Sequence, residues 1–94
     1  MIYELTFTKD AIKDRLFWKK SGNKSILDKI EKLLEDIEKN PKNGLGKPKP
    51  LKHEPGLWSR RINQEHRIVY EIFEEKNEVV IHYVKGHYEY LKKK

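Results

Sequence analysis

The hydrophobic period changes early in the chain, from every second residue to every third or fourth. Residues 2–8 alternate between apolar and polar side chains, which is typical of a half-buried strand. The apolar members are Tyr3, Leu5 and Phe7. Thr8 is a suitable N-cap for a first helix over about Lys9–Lys20, and Ser21–Asn23 is predicted to end that helix because it contains a glycine.

A second helix is predicted up to Lys39, with Ser25 as its N-cap. Its apolar residues fall on one face, as in an amphipathic helix that covers a core. They are Ile26, Ile30, Leu33, Leu34 and Ile37. Asn40 precedes a proline and should stop the helix, since that position avoids helical backbone. The segment Pro41–Pro50, with three prolines and two glycines, separates the helices from the rest of the chain.

Four strand-like runs follow this loop and are joined by short turns. They are Leu51–Glu54, Leu57–Ile62, Arg67–Phe73 and Glu78–Val84. In the last run the residues Val79, Ile81 and Tyr83 alternate with Val80 and His82. Consecutive strands with short connections pair antiparallel. The sequence therefore predicts an α+β fold: one strand, two helices, then an antiparallel sheet of about four further strands, with the helices on one face and the other face free.

The charge distribution suggests what the free face could bind. The 94 residues carry 21 basic and 15 acidic side chains, for a formal net charge of +6. Seven basic and only two acidic residues lie between positions 40 and 67, and the last ten residues are again lysine-rich. The seven are Lys42, Lys47, Lys49, Lys52, Arg60, Arg61 and Arg67. If these two regions meet, they form a cationic surface suited to RNA or DNA; a surface that only favours solubility is the alternative.

Several classes of protein are excluded or disfavoured by composition and motifs. The absence of cysteine excludes disulfide scaffolds and thiol nucleophiles. No apolar run is long enough to span a membrane, so we expect a cytoplasmic protein without membrane contact. The four histidines are too scattered to suggest a metal site, and no nucleotide-binding loop occurs. We therefore expect neither a metal nor another cofactor.

The remaining candidates for chemistry are basic and imidazole side chains. Arg60 and Arg61 are consecutive in a strand, so they point to opposite faces, and at least one must reach the free face or an edge. Together with Arg67 and His87 they suit metal-free RNA cleavage, in which a ribose 2′-OH attacks the neighbouring phosphate. An arginine would stabilise the extra charge and an imidazole would protonate the leaving oxygen. Salt bridges and an exposed terminus explain the same residues equally simply.

Three ordered segments carry a family resemblance. Gly46–His53 reads GKPKPLKH, Trp58–Ile62 and Glu65–Tyr70 read WSRRI and EHRIVY, and His87-Tyr88 follows near the end. Together they resemble the GKPEPLKH, WSRRI…EHRLVY and His-Tyr elements of the YoeB (Txe) toxins. These toxins are mRNA interferases of the RelE/ParE superfamily. The likeness covers nearly the whole chain and implies a RelE-like fold.

The resemblance also implies an activity, partners and site residues. It implies a toxin of a type II toxin–antitoxin system that cleaves mRNA in the ribosomal A site and is neutralised by a YefM-like antitoxin. Such toxins often form homodimers, and toxin and antitoxin together bind operator DNA. Arg67 would stabilise the phosphate, His87 would be the general acid and Tyr88 would hold the substrate. Lys52 and Glu65 would be supporting residues of the site. The charge pattern, rather than the resemblance, predicts that Lys47, Arg60 and Arg61 bind RNA together with Lys52.

Lys49 departs from the family pattern, because it stands where the family has its general base, a glutamate. A lysine side chain is positively charged at neutral pH and is then a poor base. Three alternatives stay open. Lys49 acts as an unprotonated base or an electrostatic clamp, in the manner of the lysines of RelE toxins; Glu65 or Glu54 takes over the role of the base; or cleavage is weak and the protein mainly binds RNA or the ribosome.

The extent of the domain and the class of toxin are further expectations. We expect one RelE-like domain over residues 1–94, in which 89–94 form a basic extension beyond the family's usual His-Tyr end. The alternative from another class is a gyrase poison of the ParE branch. ParE-like toxins generally lack the His-Tyr end and the WSRR…EHR pair. A plain interaction protein would require all three motifs to be coincidental.

Overall fold

The computed structural model describes residues 2–52 and 54–86, which form two helices and a five-stranded sheet. In chain order the elements are β1 (Glu4–Phe7), α1 (Lys9–Ser21), α2 (Lys24–Lys39), β2 (Lys49–Pro50), β3 (Leu57–Arg61), β4 (Arg67–Phe73) and β5 (Glu78–Tyr83). The predicted α+β fold is confirmed. The predictions for His87, Tyr88 and the 89–94 extension lie outside the described residues.

Polar side chains begin both helices. The Thr8 hydroxyl accepts a hydrogen bond from the amide three residues later at 3.1 Å, as predicted for the cap of α1. The cap of α2 is Asn23, whose Oδ1 accepts from the amide of Ile26 at 3.2 Å. The prediction of Ser25 as this cap is wrong, since Ser25 already lies in the first turn of the helix. Neither α1 nor α2 is both long and apolar enough to cross a bilayer.

The sheet has the strand order β1-β5-β4-β3-β2 and is mixed. Strands β2 to β5 form the predicted antiparallel meander. β1 instead pairs with β5 in parallel, with Leu5 opposite Val79. The alternation within β1 identified its buried side but not its neighbour, because alternation reports faces and carries no information about pairing.

The strand predicted at Leu51–Glu54 is wrong. The segment that joins the sheet is Lys49–Pro50, opposite Ser59 and Trp58 of β3. Leu51 is buried, and its amide donates to the Leu57 carbonyl at 2.9 Å, which closes the turn that leads into β3. Leu51, whose apolar side chain suggested a strand, therefore lies in a turn.

One face of the sheet packs against the helices and forms the core. The strand residues on this face are Leu5, Phe7, Trp58, Ile68, Tyr70, Ile72, Val79 and Ile81. They pack with Ile30, Leu33 and Ile37 of α2 and with Ala11 and Trp18 of α1. Each fully buried aliphatic side chain contributes about 1.5–3 kcal/mol to this packing. The residues that alternate with these positions face the other way, and we call that side the open face.

Candidate functional site

Strand register brings three predicted site residues to one end of the open face. Arg61 at the end of β3 lies directly opposite Arg67 at the start of β4. Lys49 lies opposite Ser59, which is two residues before Arg61 and therefore on the same face. Opposed residues have Cβ atoms about 4.5–5.5 Å apart, and like charges so placed repel each other. The Arg61–Arg67 pair is thus an arrangement that a bound anion would stabilise.

The open face changes charge along the sheet. At the end away from Arg67, Glu4 of β1 lies opposite Glu78 of β5. Between the two ends, the Glu71 carboxylate lies 3.0 Å from Nε2 of His82. A polyanion is therefore attracted to the arginine end of the face and repelled from the other end.

Three buried polar atoms at the arginine end have no hydrogen-bond partner within residues 2–52 and 54–86. They are Ser59 Oγ, Arg61 Nε and Arg67 Nε, and they are the only buried side-chain nitrogen or oxygen atoms in this condition among the described residues. Leaving such an atom unpaired costs about 1–3 kcal/mol, and folded proteins contain few of them. Their concentration in one place is characteristic of a binding site, where polar groups serve a ligand rather than the fold.

The chain that leads to His87 runs beside Arg67. The Arg67 amide donates to the Gly86 carbonyl at 2.9 Å. The Gly86 amide in turn donates to Nδ1 of His66 at 2.9 Å, so that nitrogen must be unprotonated. The residue before His87 is therefore held next to Arg67, while His87 itself is outside the described residues.

Helix α1 holds the same segment from its other side. The Asp14 carboxylate accepts from the Val84 amide at 2.9 Å, and the indole nitrogen of Trp18 donates to the Val84 carbonyl at 2.8 Å. The rings of Trp18 and His66 meet edge to face, with centroids 4.8 Å apart. The core of the protein thus fixes the backbone that approaches the site.

A β-bulge changes the face that Tyr83 occupies. Tyr70 pairs with Ile81 but Val69 pairs with Tyr83, so His82 is an additional residue in β5. Simple alternation placed Tyr83 with the core residues, which is wrong: the bulge moves it to the open face opposite Val69. It also lines a cavity of about 280 Å³ beside His66 and Gly86. No signal in the sequence marks the bulge, so Tyr83 was not predicted as a residue of the open face. Ser59 could have been predicted there, because it lies two residues before Arg61 in the same strand.

Arg60 lies on the core side and is completely buried. Its Nε donates to the Tyr70 hydroxyl at 3.1 Å, and its two terminal nitrogens donate to the Asp36 carboxylate and to backbone carbonyls. Those carbonyls belong to Asn40, Asn43 and Leu45. Every donor of the guanidinium is used inside the protein. The prediction of RNA contact therefore does not hold for Arg60, and Arg61 is the arginine of this pair that reaches the open face.

The remaining predicted residues are exposed in turns around β2 to β4. Lys47 lies at the arginine end, since the neighbouring Gly46 carbonyl accepts from the Arg61 amide at 2.6 Å. Glu65 lies in the turn that joins β3 to β4 at the same end, and Lys52 follows the opposite end of β2. Within residues 2–52 and 54–86, no three acidic or histidine side chains are placed to hold a metal ion.

Burial near Arg60 also affects Asp36. Burial acts to raise the pKa of the Asp36 carboxyl, but hydrogen bonds from Arg60 and the Leu45 amide, with the charges of Arg60 and Lys39, lower it below its ordinary value. A carboxyl with a depressed pKa stabilises the fold above its unfolded-state pKa, and this contribution is lost as the pH falls through the folded-state pKa.

We therefore expect Asp36→Asn to destabilise the protein most at neutral pH. The difference in free energy of unfolding between wild type and variant should begin to shrink as the pH falls below the unfolded-state pKa of about 3.9. It should disappear as the pH passes through the lower folded-state pKa of Asp36. Urea unfolding at a series of pH values measures this. Glu31→Gln is the control. Glu31 lies on α2, like Asp36, and forms an exposed ion pair with Arg15 of α1, so this change should have little effect at any pH. A difference that stays constant into acid would contradict the expectation.

Comparison with known proteins assigns this chain to a family. A family model described as the YoeB-like toxin of bacterial type II toxin-antitoxin system matches residues 7–88. Toxin YoeB of Escherichia coli (strain K12) is 43% identical over 70 residues, which are 73% of this chain and 82% of that protein.

Solved structures agree with the sequence comparison. The YoeB/ParE toxin from Agrobacterium tumefaciens has a TM-score of 0.83 at 35% identity, covering 90% of this chain and 99% of that one. YoeB from Staphylococcus aureus, solved as a dimer, has a TM-score of 0.80 at 36% identity and covers 94% of this chain and 100% of that one. The same toxin in a heterotetrameric YoeB-YefM complex gives 0.77 at 37% identity, with the same coverage. The chain therefore belongs to the YoeB-like toxins of bacterial type II toxin–antitoxin systems.

Proposed function

We propose that this toxin is a ribosome-dependent endoribonuclease that cleaves mRNA in the A site. The observation that carries the proposal is the opposed Arg61–Arg67 pair, whose buried Nε atoms have no partner in the part of the chain that the structure describes. Two such guanidinium groups suit a phosphate that gains charge during reaction. Gly86, the residue immediately before His87 in the sequence, is hydrogen-bonded to the backbone of Arg67.

In the proposed reaction, the 2′-hydroxyl of a ribose gives its proton to a base, either uncharged Lys49 or the carboxylate of Glu65 or Glu54. Its oxygen attacks the adjacent phosphorus while the bond to the 5′-oxygen breaks. The products are a 2′,3′-cyclic phosphate and a free 5′-hydroxyl. Arg67, assisted by Arg61, stabilises the charge on the phosphorane. His87 gives its proton to the leaving 5′-oxygen, and Tyr88 holds the substrate. Lys47, Lys52 and Glu65 support the RNA around this site.

The part played by Lys49 follows from its place opposite Ser59, on the same face as the arginine pair. A charged lysine here binds phosphate, and only an uncharged one accepts the proton of the 2′-hydroxyl. This residue also favours the second candidate function, which is binding of RNA or the ribosome with little cleavage.

Lys49→Glu separates these roles. If Lys49 lowers activity because it replaces a carboxylate base, the variant should cleave about 10²-fold faster, the lower end of general-base contributions. If Lys49 is itself the base or clamp, the variant should cleave more slowly than wild type. Single-turnover rates on programmed ribosomes decide between them, and Lys29→Glu, on the exposed side of α2, controls for the change of charge.

The proposed partner is a YefM-like antitoxin. Its support is the S. aureus toxin, which has been solved with YefM, together with the basic end of the open face. An acidic, disordered antitoxin segment that folds on this surface would compete with RNA for the same charges. We also propose that the toxin forms a homodimer, that toxin and antitoxin together bind operator DNA, and that the toxin acts in the cytoplasm, where mRNA is translated.

Primer extension on mRNA in a translating extract tests the proposed function. Folded toxin should produce new 5′ ends at codons in the A site only when the message is translated, and prior addition of the antitoxin should abolish them. Ribosome binding without new ends would favour the second candidate. Inhibition of gyrase supercoiling, with mRNA left intact, would identify a ParE-like poison instead.

A further inference from the structure

Residues 40–48, which we call the 40–48 segment, connect α2 to β2 and converge on one buried side chain. Two of its carbonyls accept from Nη2 of Arg60, and a third accepts from Nη1 at 3.2 Å. A fourth accepts at 2.6 Å from the hydroxyl of Tyr70, which itself accepts from Arg60. The four carbonyls belong to Asn40, Asn43, Leu45 and Pro41. Arg60 and Tyr70 are both completely buried, so the segment is anchored to the core.

Asp36, in the last turn of α2, connects the helix to the same network. One of its carboxylate oxygens accepts both from Arg60 and from the amide of Leu45, the latter at 2.9 Å. The chain comes very close at Gly44, where φ is 126° and an added Cβ would lie 1.9 Å from that oxygen. Only glycine fits at this position, so the close approach is built into the sequence.

The far end of the 40–48 segment is held in an unusual conformation next to the site. Lys47 has φ of 52°, in the left-handed region that residues with side chains rarely adopt. Such a conformation persists only where the surrounding structure fixes it. Lys49 follows two residues later, opposite Ser59 on the open face. The position of Lys49 thus depends on how firmly the segment is anchored.

We propose that Arg60 and Asp36 form a latch that positions Lys49 for RNA cleavage. The proposal rests on the proposed function and adds two positioning residues that do not touch RNA. Charge-assisted hydrogen bonds are the strongest in the network, so the segment cannot shift without breaking several of them. A displacement of about 1 Å at a reacting group can lower the rate by about 10²-fold. Loosening the latch should therefore slow the chemical step while substrate binding is kept.

Asp36→Asn tests the latch, since it removes the charge but keeps an oxygen acceptor. Single-turnover cleavage on ribosomes programmed with a defined A-site codon gives the limiting rate and the half-saturating toxin concentration. We expect the limiting rate to fall roughly tenfold and the half-saturating concentration to change by less than about twofold. Glu31→Gln, the same change of charge in an exposed ion pair on α2, should match wild type. Tyr70→Phe, which frees the Pro41 carbonyl, should repeat the effect of Asp36→Asn.

A double-mutant cycle shows whether the latch acts through Lys49. In a Lys49→Ala background, Asp36→Asn should change the limiting rate by less than about twofold. An equal loss in both backgrounds would overturn the proposal, because the latch would then act on another group. Wild-type rates in both Asp36→Asn and Tyr70→Phe would also overturn it while leaving the proposed function intact. Absence of cleavage by folded wild-type toxin would reject the proposed function and the latch together.

Discussion

Arg67→Ala should lower the single-turnover rate of mRNA cleavage by about 10²-fold, the usual loss when one group that stabilises transition-state charge is removed. The effect should be on the rate rather than on binding, because the other cations of the surface still attract RNA. The fold should tolerate the change well, since Arg67 Nε has no hydrogen bond to lose among the described residues.

The rates are measured on programmed ribosomes at saturating toxin, together with the free energy of unfolding from urea titration. Arg15→Ala is the control, because Arg15 forms an exposed ion pair with Glu31 away from the open face. It removes the same charge and should leave the cleavage rate within about twofold of wild type. If Arg67→Ala cleaves as fast as Arg15→Ala, Arg67 has no part in the reaction.

Arg60→Met should lower the free energy of unfolding by about 3 kcal/mol. This is the lower end of the cost of removing one partner from a buried ion pair, because Arg60 is buried but Asp36 is 25% exposed. Asp36 would keep its charge without its guanidinium, and the three backbone carbonyls that Arg60 contacts would lose their donors. A small domain has about 5–15 kcal/mol of stability, so the variant should lose a large part of it.

Arg61→Met is the matched control, since it makes the same substitution one residue further along β3 on the opposite face. Its free energy of unfolding should change by less than about 1 kcal/mol, while cleavage falls. The two neighbouring arginines would thus divide into one that serves the fold and one that serves the site. Equal destabilisation by both variants would contradict this division.

Sequence patterns predicted the framework of the fold because its elements are encoded locally. The 3.6-residue period of α2 and the alternation in β1 each report burial within one element, and the cap at Thr8 reports where α1 begins. The parallel pairing of β1 and the bulge at His82 depend on contacts between distant segments, which no local pattern encodes. The very short β2 was misplaced for the same reason: two residues are too few to show a period.

The site could be predicted only as far as the sequence shows which residues of a strand share a face. The sequence showed that Arg60 and Arg61 must face opposite ways, and only the position of the core decided which one is buried. The register that opposes Arg61 to Arg67 is tertiary, so the closeness of these two charges could not be read from spacing. The motif resemblance supplied the roles of Arg67 and His87. From the residues alone, RNA cleavage by these side chains was one of several possible interpretations.

The central claim is that the arginine end of the open face cleaves mRNA by attack of a ribose 2′-hydroxyl. The most direct measurement uses ribosomes programmed with two messages that differ by one atom, a 2′-hydroxyl or a 2′-hydrogen on the nucleotide before the scissile phosphate. We expect the toxin to cleave the first message, leaving a 2′,3′-cyclic phosphate on the upstream product, and not to cleave the second. Equal cleavage of both messages, or of neither by folded toxin, would contradict it.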